Sequence, residues 1–590
     1  MADILLINPF TFDKLDFSIG VLEIATILDN SNYNVKIIDM NYLYRSNINF
    51  LDESMDKLSF ILKCIFYENP KIIGFSCMCN NYHFLLKITE KIKEIDPNIK
   101  IFFGGPHATL TAEKTLKSFK SVDLICQGES ETYIIDVIDA LLNNKSLDSI
   151  KGIVYLKNGI IKSNKKANLI LDLDKLPLLN YKLIEYFDDI EWINIEVGRG
   201  CPFSCTFCST KTFWNQKTRM KSIDRIVKEI IILKTIYNKT KINFIHDLFT
   251  VNSKYIKEFC ERIIELDINI KWTCSSRIDT VNKDLLNLMK KAGCVSIFFG
   301  VETGSEKLQN VICKNLKINN IYERLTDLKE TGFYDSTFSF IYGFPQEDEI
   351  ELKKTINLAF DIIKKFNFKV MLGRFTFLPE TELYLDYKDK IIYDGNTSFI
   401  AEDITYSEYE DIIKNNKEIF PHFFSYQTEL HKKYIRLEKF FEFYTIIIIN
   451  FKCIAKALEE SKLNNIMLLY RDFSTYYNKE ICDILDIGNT YFDKIKNENY
   501  EKNKLNEVLE LIKDYVNKHL EKNNTFIMEI IDFEYNLMFA NKNIIKKIYE
   551  NDIVAYRQMN KKISECKLIK NEVTINKKNN IVNVNRHILV

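Results

Sequence analysis

Twice along this chain, short apolar runs alternate with helical stretches, and that alternation leaves few folds open. In the first series the runs are Ile4–Asn8, Val35–Asp39, Ile72–Ser76, Lys100–Phe103 and Leu124–Gln127. Between them lie helical patterns such as Gly20–Asp29, Tyr82–Ile95 and Thr111–Phe119. Short strands that are apolar on both faces and separated by helices predict an α/β, doubly wound parallel sheet of Rossmann-like type. Such sheets take ligands in the crevice beyond the carboxyl ends of their strands. Those ends carry Asn8-Pro9-Phe10, Ser76-Cys77-Met78, Gly104-Gly105-Pro106-His107 and Gly128-Glu129-Ser130. A glycine that merely ends a strand explains one such loop. Several along one edge predict a flat ligand lying close to the backbone.

The second series starts at Trp192. Its runs are Trp192–Val197, Ile242–His246, Trp272–Ser275, Val295–Val301, Thr337–Tyr342 and Val370–Thr376, with helical stretches such as Ile223–Ile236 and Lys283–Lys291. Six βα units predict a partial (β/α)6 TIM barrel with its site at the carboxyl ends of the strands. The expected organisation is therefore a sheet domain over 1–145, a hairpin and linker over 146–190, and a barrel domain over 191–395. A mainly helical domain follows over 396–590, ending in a hairpin around Lys577-Lys578-Asn579-Asn580.

Composition narrows the function. Among 590 residues, Lys+Arg and Asp+Glu both number 81, and a chain without basic excess is a poor dedicated nucleic-acid binder. Met1–Phe10 shows no charged segment followed by a long apolar one, and Ile4–Ile7 within it reads as a first strand. The most apolar C-terminal run, Tyr444–Ile449, is far short of the ~20 residues a membrane span needs. The expected location is the cytoplasm, away from membranes. There thiols stay reduced, so clustered cysteines among the 14 present read as metal ligands or catalytic groups, not as disulfides.

One cluster is tight: Cys201-Pro-Phe-Ser-Cys205-Thr-Phe-Cys208, directly after a predicted strand. A structural zinc site usually takes four protein ligands, and no fourth Cys or His lies close by in sequence. Three thiolates suit a cubic [4Fe–4S] cluster that leaves one iron for another ligand.

This motif resembles the signature of the radical S-adenosylmethionine (SAM) superfamily, and the resemblance extends over about 191–390. Arg199-Gly200-Cys201-Pro202 leads in as it does there, and Phe207 supplies the aromatic residue before the last Cys. Ile245-His246-Asp247-Leu248-Phe249-Thr250 is similar to the second-strand motif, and Trp272-Thr-Cys-Ser-Ser-Arg277-Ile-Asp279 to the third. Gly293 to Gly304 resembles the fourth, and Phe340-Ile-Tyr-Gly343-Phe-Pro345-Gln-Glu347 the fifth. Leu378-Pro379-Glu380-Thr381 is close to the usual Pro-Gly-Thr ending, with Glu380 in place of Gly. The resemblance implies that Cys201, Cys205 and Cys208 hold three irons while the fourth chelates SAM, whose reductive cleavage yields a 5′-deoxyadenosyl radical. It further implies that Glu302 meets polar groups of SAM, and that Ser275 and Arg277 meet its ribose or carboxylate. For Glu302 and Arg277, a structural ion pair in the barrel mouth is the competing reading.

The first domain resembles the cobalamin-binding domain that precedes many radical SAM domains. The resemblance lies in Ile4-Leu-Leu-Ile-Asn8-Pro9, Ser18-Ile-Gly20, Gly74-Phe-Ser76, Phe103-Gly104-Gly105-Pro106-His107 and Cys126-Gln-Gly128-Glu129. It implies that Ser76, Gly104, Gly105, Gly128 and Glu129 lie against the corrin and its nucleotide tail. The D-x-H-x-x-G motif, whose His ligates cobalt, is absent. Its nearest counterpart is Asp16-Phe-Ser18-Ile-Gly20, and neither His83 nor His107 stands where that ligand would.

The resemblance thus implies an enzyme using a [4Fe–4S] cluster, SAM and cobalamin to methylate an unactivated carbon of a natural-product or peptide substrate, fed by a flavodoxin or ferredoxin type electron donor. A cobalamin-binding enzyme that cyclises, rearranges or oxidises without methyl transfer is the alternative. A non-catalytic zinc or nucleic-acid-binding module is a third reading, which the neutral charge counts against.

Overall fold

The computed structural model describes residues 2–9, 17–47, 57–393, 409–462, 466–477, 479–481, 500–520, 527–532, 534, 544–551, 568–576 and 581–587. They form two units: 1–362 with 366–435, and 363–365 with 436–590. Phe10, Asp16 and the segment Lys577–Asn580 of the sequence reading lie outside the described residues.

The first unit opens with a seven-stranded sheet ordered β2-β1-β3-β4-β5-β6-β7. The strands are β1 (Ile4–Asn8), β2 (Val35–Asp39), β3 (Ile72–Ser76), β4 (Lys100–Gly104), β5 (Leu124–Cys126), β6 (Ile153–Lys157) and β7 (Ile160–Ser163). The first five run parallel, and β6 and β7 add antiparallel at the β5 edge. The hairpin expected between the domains is therefore an extension of this sheet. Successive side chains leave a strand on opposite faces, and the core divides accordingly. Leu5, Ile7, Ile73, Phe75, Ile101 and Phe103 fill one face, and Ile4, Leu6, Ile72, Phe102 and Leu124 the other. Helices cover both faces, which is why these strands read as unbroken apolar runs.

The second sheet is parallel and ordered β15-β14-β13-β12-β11-β8. Its strands are β8 (Ile193–Glu196), β11 (Lys241–Ile245), β12 (Lys271–Ser276), β13 (Cys294–Glu302), β14 (Thr337–Tyr342) and β15 (Lys369–Arg374). A short antiparallel ladder, β9 (Gly198–Arg199) with β10 (Arg219–Met220), follows β8. Neighbours in space are neighbours in sequence, as in a barrel, and β8 and β15 stay apart. Phe244 and Trp272, with ring centroids 5.4 Å apart, meet Phe259 on the helix Ser253–Glu265. The alternate residues therefore face the lumen. There Thr273 Oγ1 donates to Asn243 Oδ1 (2.7 Å), and Asn243 Nδ2 to Asn194 Oδ1 (3.2 Å).

The first unit does not stop at residue 395. Tyr409, Ile413, Ile419, Phe420, Phe423 and Phe424 are buried in the same core as Tyr82, Phe84 and Phe103. β16 (Ile392–Tyr393) pairs with β17 (Phe424–Ser425). This corrects the expected boundary at 395/396, because the apolar side chains of 409–424 find their burial in the N-terminal core. The second unit comprises the helices Leu437–Asn450, Lys452–Ser461, Ile466–Tyr476 and Tyr500–His519. Its antiparallel sheet is β18 (Ile544–Asn551), β19 (Leu568–Asn576) and β20 (Ile581–His587). The last two strands flank 577–580, where the hairpin was expected. Among the described residues, no helix is long and apolar enough to cross a membrane.

Candidate functional site

The three cysteines lie on one loop between β9 and the helix Thr210–Trp214. The loop turns at Gly200, whose φ of +90° suits only glycine; a Cβ there would stand 2.0 Å from the Lys217 carbonyl oxygen. Gly200 N–H donates to Asp247 Oδ2 (2.9 Å) and Thr210 Oγ1 to Asp247 Oδ1 (3.1 Å), so one carboxylate grips both ends of the loop. Further along, Thr206 N–H donates to the Ile312 carbonyl and Leu383 N–H to the Thr206 carbonyl, both at 3.1 Å. The Phe207 ring packs edge-on against Phe344 at 5.7 Å.

Cys201, Cys205 and Cys208 are free and half-buried. Burial pushes the Cys205 thiol up to about 11, opposed by the cations of Lys314 and Arg277. A metal would have to displace that proton to bind. Among the described residues, no three His, Cys, Asp or Glu side chains converge closely enough for a single ion. A loop carrying three spaced thiols fits a wider group such as the cubane.

The barrel mouth adds charge. Glu302 ends β13 at a bulge, with φ +68°, a strained setting for a side-chain-bearing residue. Its carboxylate pairs with Lys314, and a Cβ at Gly300 would stand 2.4 Å from Glu302 Oε1. Glycine at 300 leaves room for this buried pair. Arg277 donates Nε and Nη2 to Asp279 (3.0 and 2.9 Å) and Nη2 to the Lys314 carbonyl (2.8 Å). Its guanidinium covers the Phe203 ring of the cysteine loop at 3.9 Å. Among the described residues, Arg277 Nη1 is buried without a partner. A buried N–H is seldom left unmade, and this one fits an acceptor on a bound ligand, such as the SAM carboxylate. Half-buried Ser275 pairs across the ladder with Phe298 on the lumen side. Ile245, Phe298 and Met371 keep 43, 40 and 41% of their surface exposed toward that lumen.

At the first sheet, Ser76 stands beside Gly104 in the ladder, and Cys77 N–H donates to the Gly104 carbonyl (2.9 Å). Gly105 has φ +94°, and its Cβ would lie 2.9 Å from the Cys77 backbone. Gly128 N–H donates to Thr109 Oγ1 (3.0 Å), which ties the β5 loop to the helix after β4. Among the described residues, a Cβ at Gly104 or Gly128 would meet nothing within 4 Å. Ser76, Gly104, Gly105 and Gly128 thus share one edge, with open space beside two of them that fits a flat macrocycle. Glu129, the residue after Gly128, is buried and ion-paired with Arg199 and Arg219. His107 is buried against Tyr82 (4.5 Å) and His422 (5.4 Å), and His83 against Tyr409 and Phe423.

Two of the three candidate SAM contacts, Glu302 and Arg277, are thus in ion pairs, and Arg277 keeps an N–H without a partner among the described residues. Asp247 and Lys314 are the residues that sequence reasoning missed as site builders. Asp247 stood inside a quoted motif, one residue past the predicted strand end. Lys314 sits in an irregular turn with no pattern to mark it.

Comparison with known proteins places these features. A model of the radical SAM superfamily matches residues 195–359, and one of the B12 binding domain matches residues 16–138. An uncharacterized methyltransferase of Pyrococcus horikoshii is 30% identical over 319 residues, covering 53% of this chain and 69% of that protein. An anaerobic magnesium-protoporphyrin IX monomethyl ester cyclase of Rubrivivax gelatinosus is 26% identical over 303 residues, 50% of this chain and 54% of that protein. In fold, the chain is similar to the solved cobalamin-dependent S-adenosylmethionine radical enzyme OxsB with aqua-cobalamin bound. That match has a TM-score of 0.58 at 17% identity, over 91% of this chain and 81% of that one.

Proposed function

The chain belongs to the radical SAM enzymes that carry an N-terminal cobalamin-binding domain, and we propose that it methylates an unactivated carbon of a small natural product or peptide. In this family the cluster and SAM supply a 5′-deoxyadenosyl radical, and cobalamin supplies a methyl group. Cys201, Cys205 and Cys208 would hold the cluster. Arg277 Nη1 and Ser275 would orient SAM, with Glu302 beside them. Ser76, Gly104, Gly105 and Gly128 would line the corrin side. Ile245, Phe298 and Met371 give the lumen apolar walls, which would keep water from a reactive carbon once substrate covers them.

The observation that carries the reading is one compact unit holding both edges. Gly128, beside open space, precedes Glu129, and Glu129 is ion-paired to Arg199, two residues ahead of Cys201. A carbon radical must meet its methyl donor before it is quenched, which requires the two sites to be fixed relative to each other. The relative named as a methyltransferase supports this chemistry, and the one named as a cyclase supports the alternative without methyl transfer. Electrons would come from a flavodoxin or ferredoxin type donor, in the cytoplasm.

The test is anaerobic turnover with SAM, cobalamin, reductant and candidate substrates, scored by mass. Two SAM should be consumed per product, giving one S-adenosylhomocysteine and one 5′-deoxyadenosine, and methyl-deuterated SAM should add CD3 to a carbon. A product showing only hydrogen loss, with 5′-deoxyadenosine and no S-adenosylhomocysteine, would replace methyl transfer by the cyclase or oxidase reading.

A further inference from the structure

Between the cobalamin edge and the cysteine loop lies a buried network of charges. Arg199 uses all three guanidinium nitrogens. Nη1 meets Glu129 (2.7 Å) and Glu131 (2.8 Å), Nη2 meets Glu23 (2.8 Å), and Nε meets Glu196 (2.9 Å). Arg219, its partner in the β9–β10 ladder, donates Nη1 to both oxygens of Glu129 (2.9 and 2.7 Å) and to the Ile170 carbonyl (2.6 Å). The side chains of Arg199, Glu129 and Glu23 are 4, 2 and 3% exposed. The Trp214 ring lies 5.9 Å from the Arg199 guanidinium and 5.2 Å from that of Arg219.

The network joins elements far apart in sequence. Glu23, Glu129 and Glu131 come from the first sheet domain; Glu196, Arg199 and Arg219 come from the barrel. Glu129 is one residue past Gly128, and Arg199 is two residues before Cys201. The guanidinium fork accepts partners only along fixed directions. Sliding one domain against the other would strand buried charges, which is costly. An apolar contact resists sliding less, because it has no preferred direction.

We propose that the Arg199–Glu129 network is a positioning device that fixes the separation between the cobalamin-binding edge and the cluster loop. This rests on the functional reading above, and it assigns Glu129 a task other than touching the corrin. The partly exposed Lys114–Glu380 pair (2.7 Å) also crosses between the domains but lies on neither edge.

The experiment uses the full chain loaded with iron–sulfur cluster and cobalamin, with no substrate. Both Co(II) cobalamin and the reduced cluster carry an unpaired electron, so their magnetic coupling in the electron paramagnetic resonance spectrum reports their separation. Arg199→Lys and Glu129→Gln should keep both cofactors yet lose or broaden the coupling seen in the parent protein. Lys114→Met should leave it unchanged. If Glu129→Gln does not fold, Glu131→Gln removes a single contact and is read in its place. Unchanged coupling in network variants holding both cofactors, or equal loss in Lys114→Met, overturns the proposal and leaves the functional reading standing. Failure of the parent protein to bind cobalamin overturns both.

Discussion

Gly200→Ala puts the cysteine loop under a strain that can be worked out. The new Cβ would stand 2.0 Å from Lys217 O, 3.0 Å from Lys217 C and 3.3 Å from Trp214 Cβ. Two of these neighbours are backbone and cannot rotate away, so the loop must move by about 1 Å even to reach the shortest contacts Cβ atoms make. A side chain at φ +90° adds ~1–2 kcal/mol. Movement also breaks the Gly200 N–H bond to the Asp247 carboxylate, ~1.5–3 kcal/mol for a charged acceptor. Together these disfavour the observed loop by about 2.5–5 kcal/mol, which at ~1.4 kcal/mol per decade is roughly a hundredfold or more. The strain falls on the loop that carries Cys201, so loss of cluster should exceed loss of fold. The assay is iron and sulfide content with visible absorption after anaerobic reconstitution, beside a thermal melt. Gly373→Ala is the control, since among the described residues its Cβ would meet only Phe340 O at 4.0 Å. Full cluster loading in Gly200→Ala, with an unchanged resonance spectrum, would refute the reasoning.

Two further outcomes follow. Ala at Cys201, Cys205 or Cys208 should abolish cluster absorption and SAM cleavage, while Ala at Cys274 or Cys313 should preserve both; normal SAM cleavage by Cys205→Ala would remove the ligand assignment. Stability should fall with acid: burial lowers His83 to about 4 and His107 to about 3, so the unfolded chain takes up protons first, below about 6.5. Their contribution is complete above that pH and is lost progressively as the pH falls from about 6.5 to 4 for His83 and to 3 for His107. Urea midpoints between pH 7 and 4 should drop less in His83→Phe, whose ring would still fill the site between Tyr409 and Phe423.

Most of both sheets was legible because their strands are buried on both faces and bounded by polar turns. Val295–Val301 was expected and Cys294–Glu302 is found; Thr337–Tyr342 matches at both ends. The cysteine loop was legible because its chemistry is local, three thiols within eight residues. What local pattern could not carry was distance. The hairpin β6–β7 is visible as a hairpin, but its attachment to β5 depends on a free edge some 30 residues earlier. Tyr409–Phe424 looks like more of the C-terminal region until its apolar side chains are seen in the core with Tyr82 and Phe103. Glu129 was read toward a ligand from its glycine neighbour, yet its carboxylate is claimed by arginines 70 and 90 residues away.

Glu380 shows how a departure from a motif can be reconciled with the fold that the motif marks. The residue lies at φ +59°, the region where glycine carries no penalty and a glutamate does. The turn is nevertheless made. The carbonyl of residue 380 accepts from Thr212 Oγ1 at 3.1 Å, and Thr381 Oγ1 caps the next helix by accepting from Tyr384 N–H. The glutamate side chain brings something that glycine lacks, a bond to Lys114 on the helix that follows Gly104-Gly105. That pair is about one-third exposed, so its contribution is small, within the ~0–1 kcal/mol of surface pairs. It offsets part of the backbone strain at most. Neither the strained turn nor its cross-domain partner could be inferred from the four letters around Pro379, because the compensation comes from a helix more than 260 residues earlier.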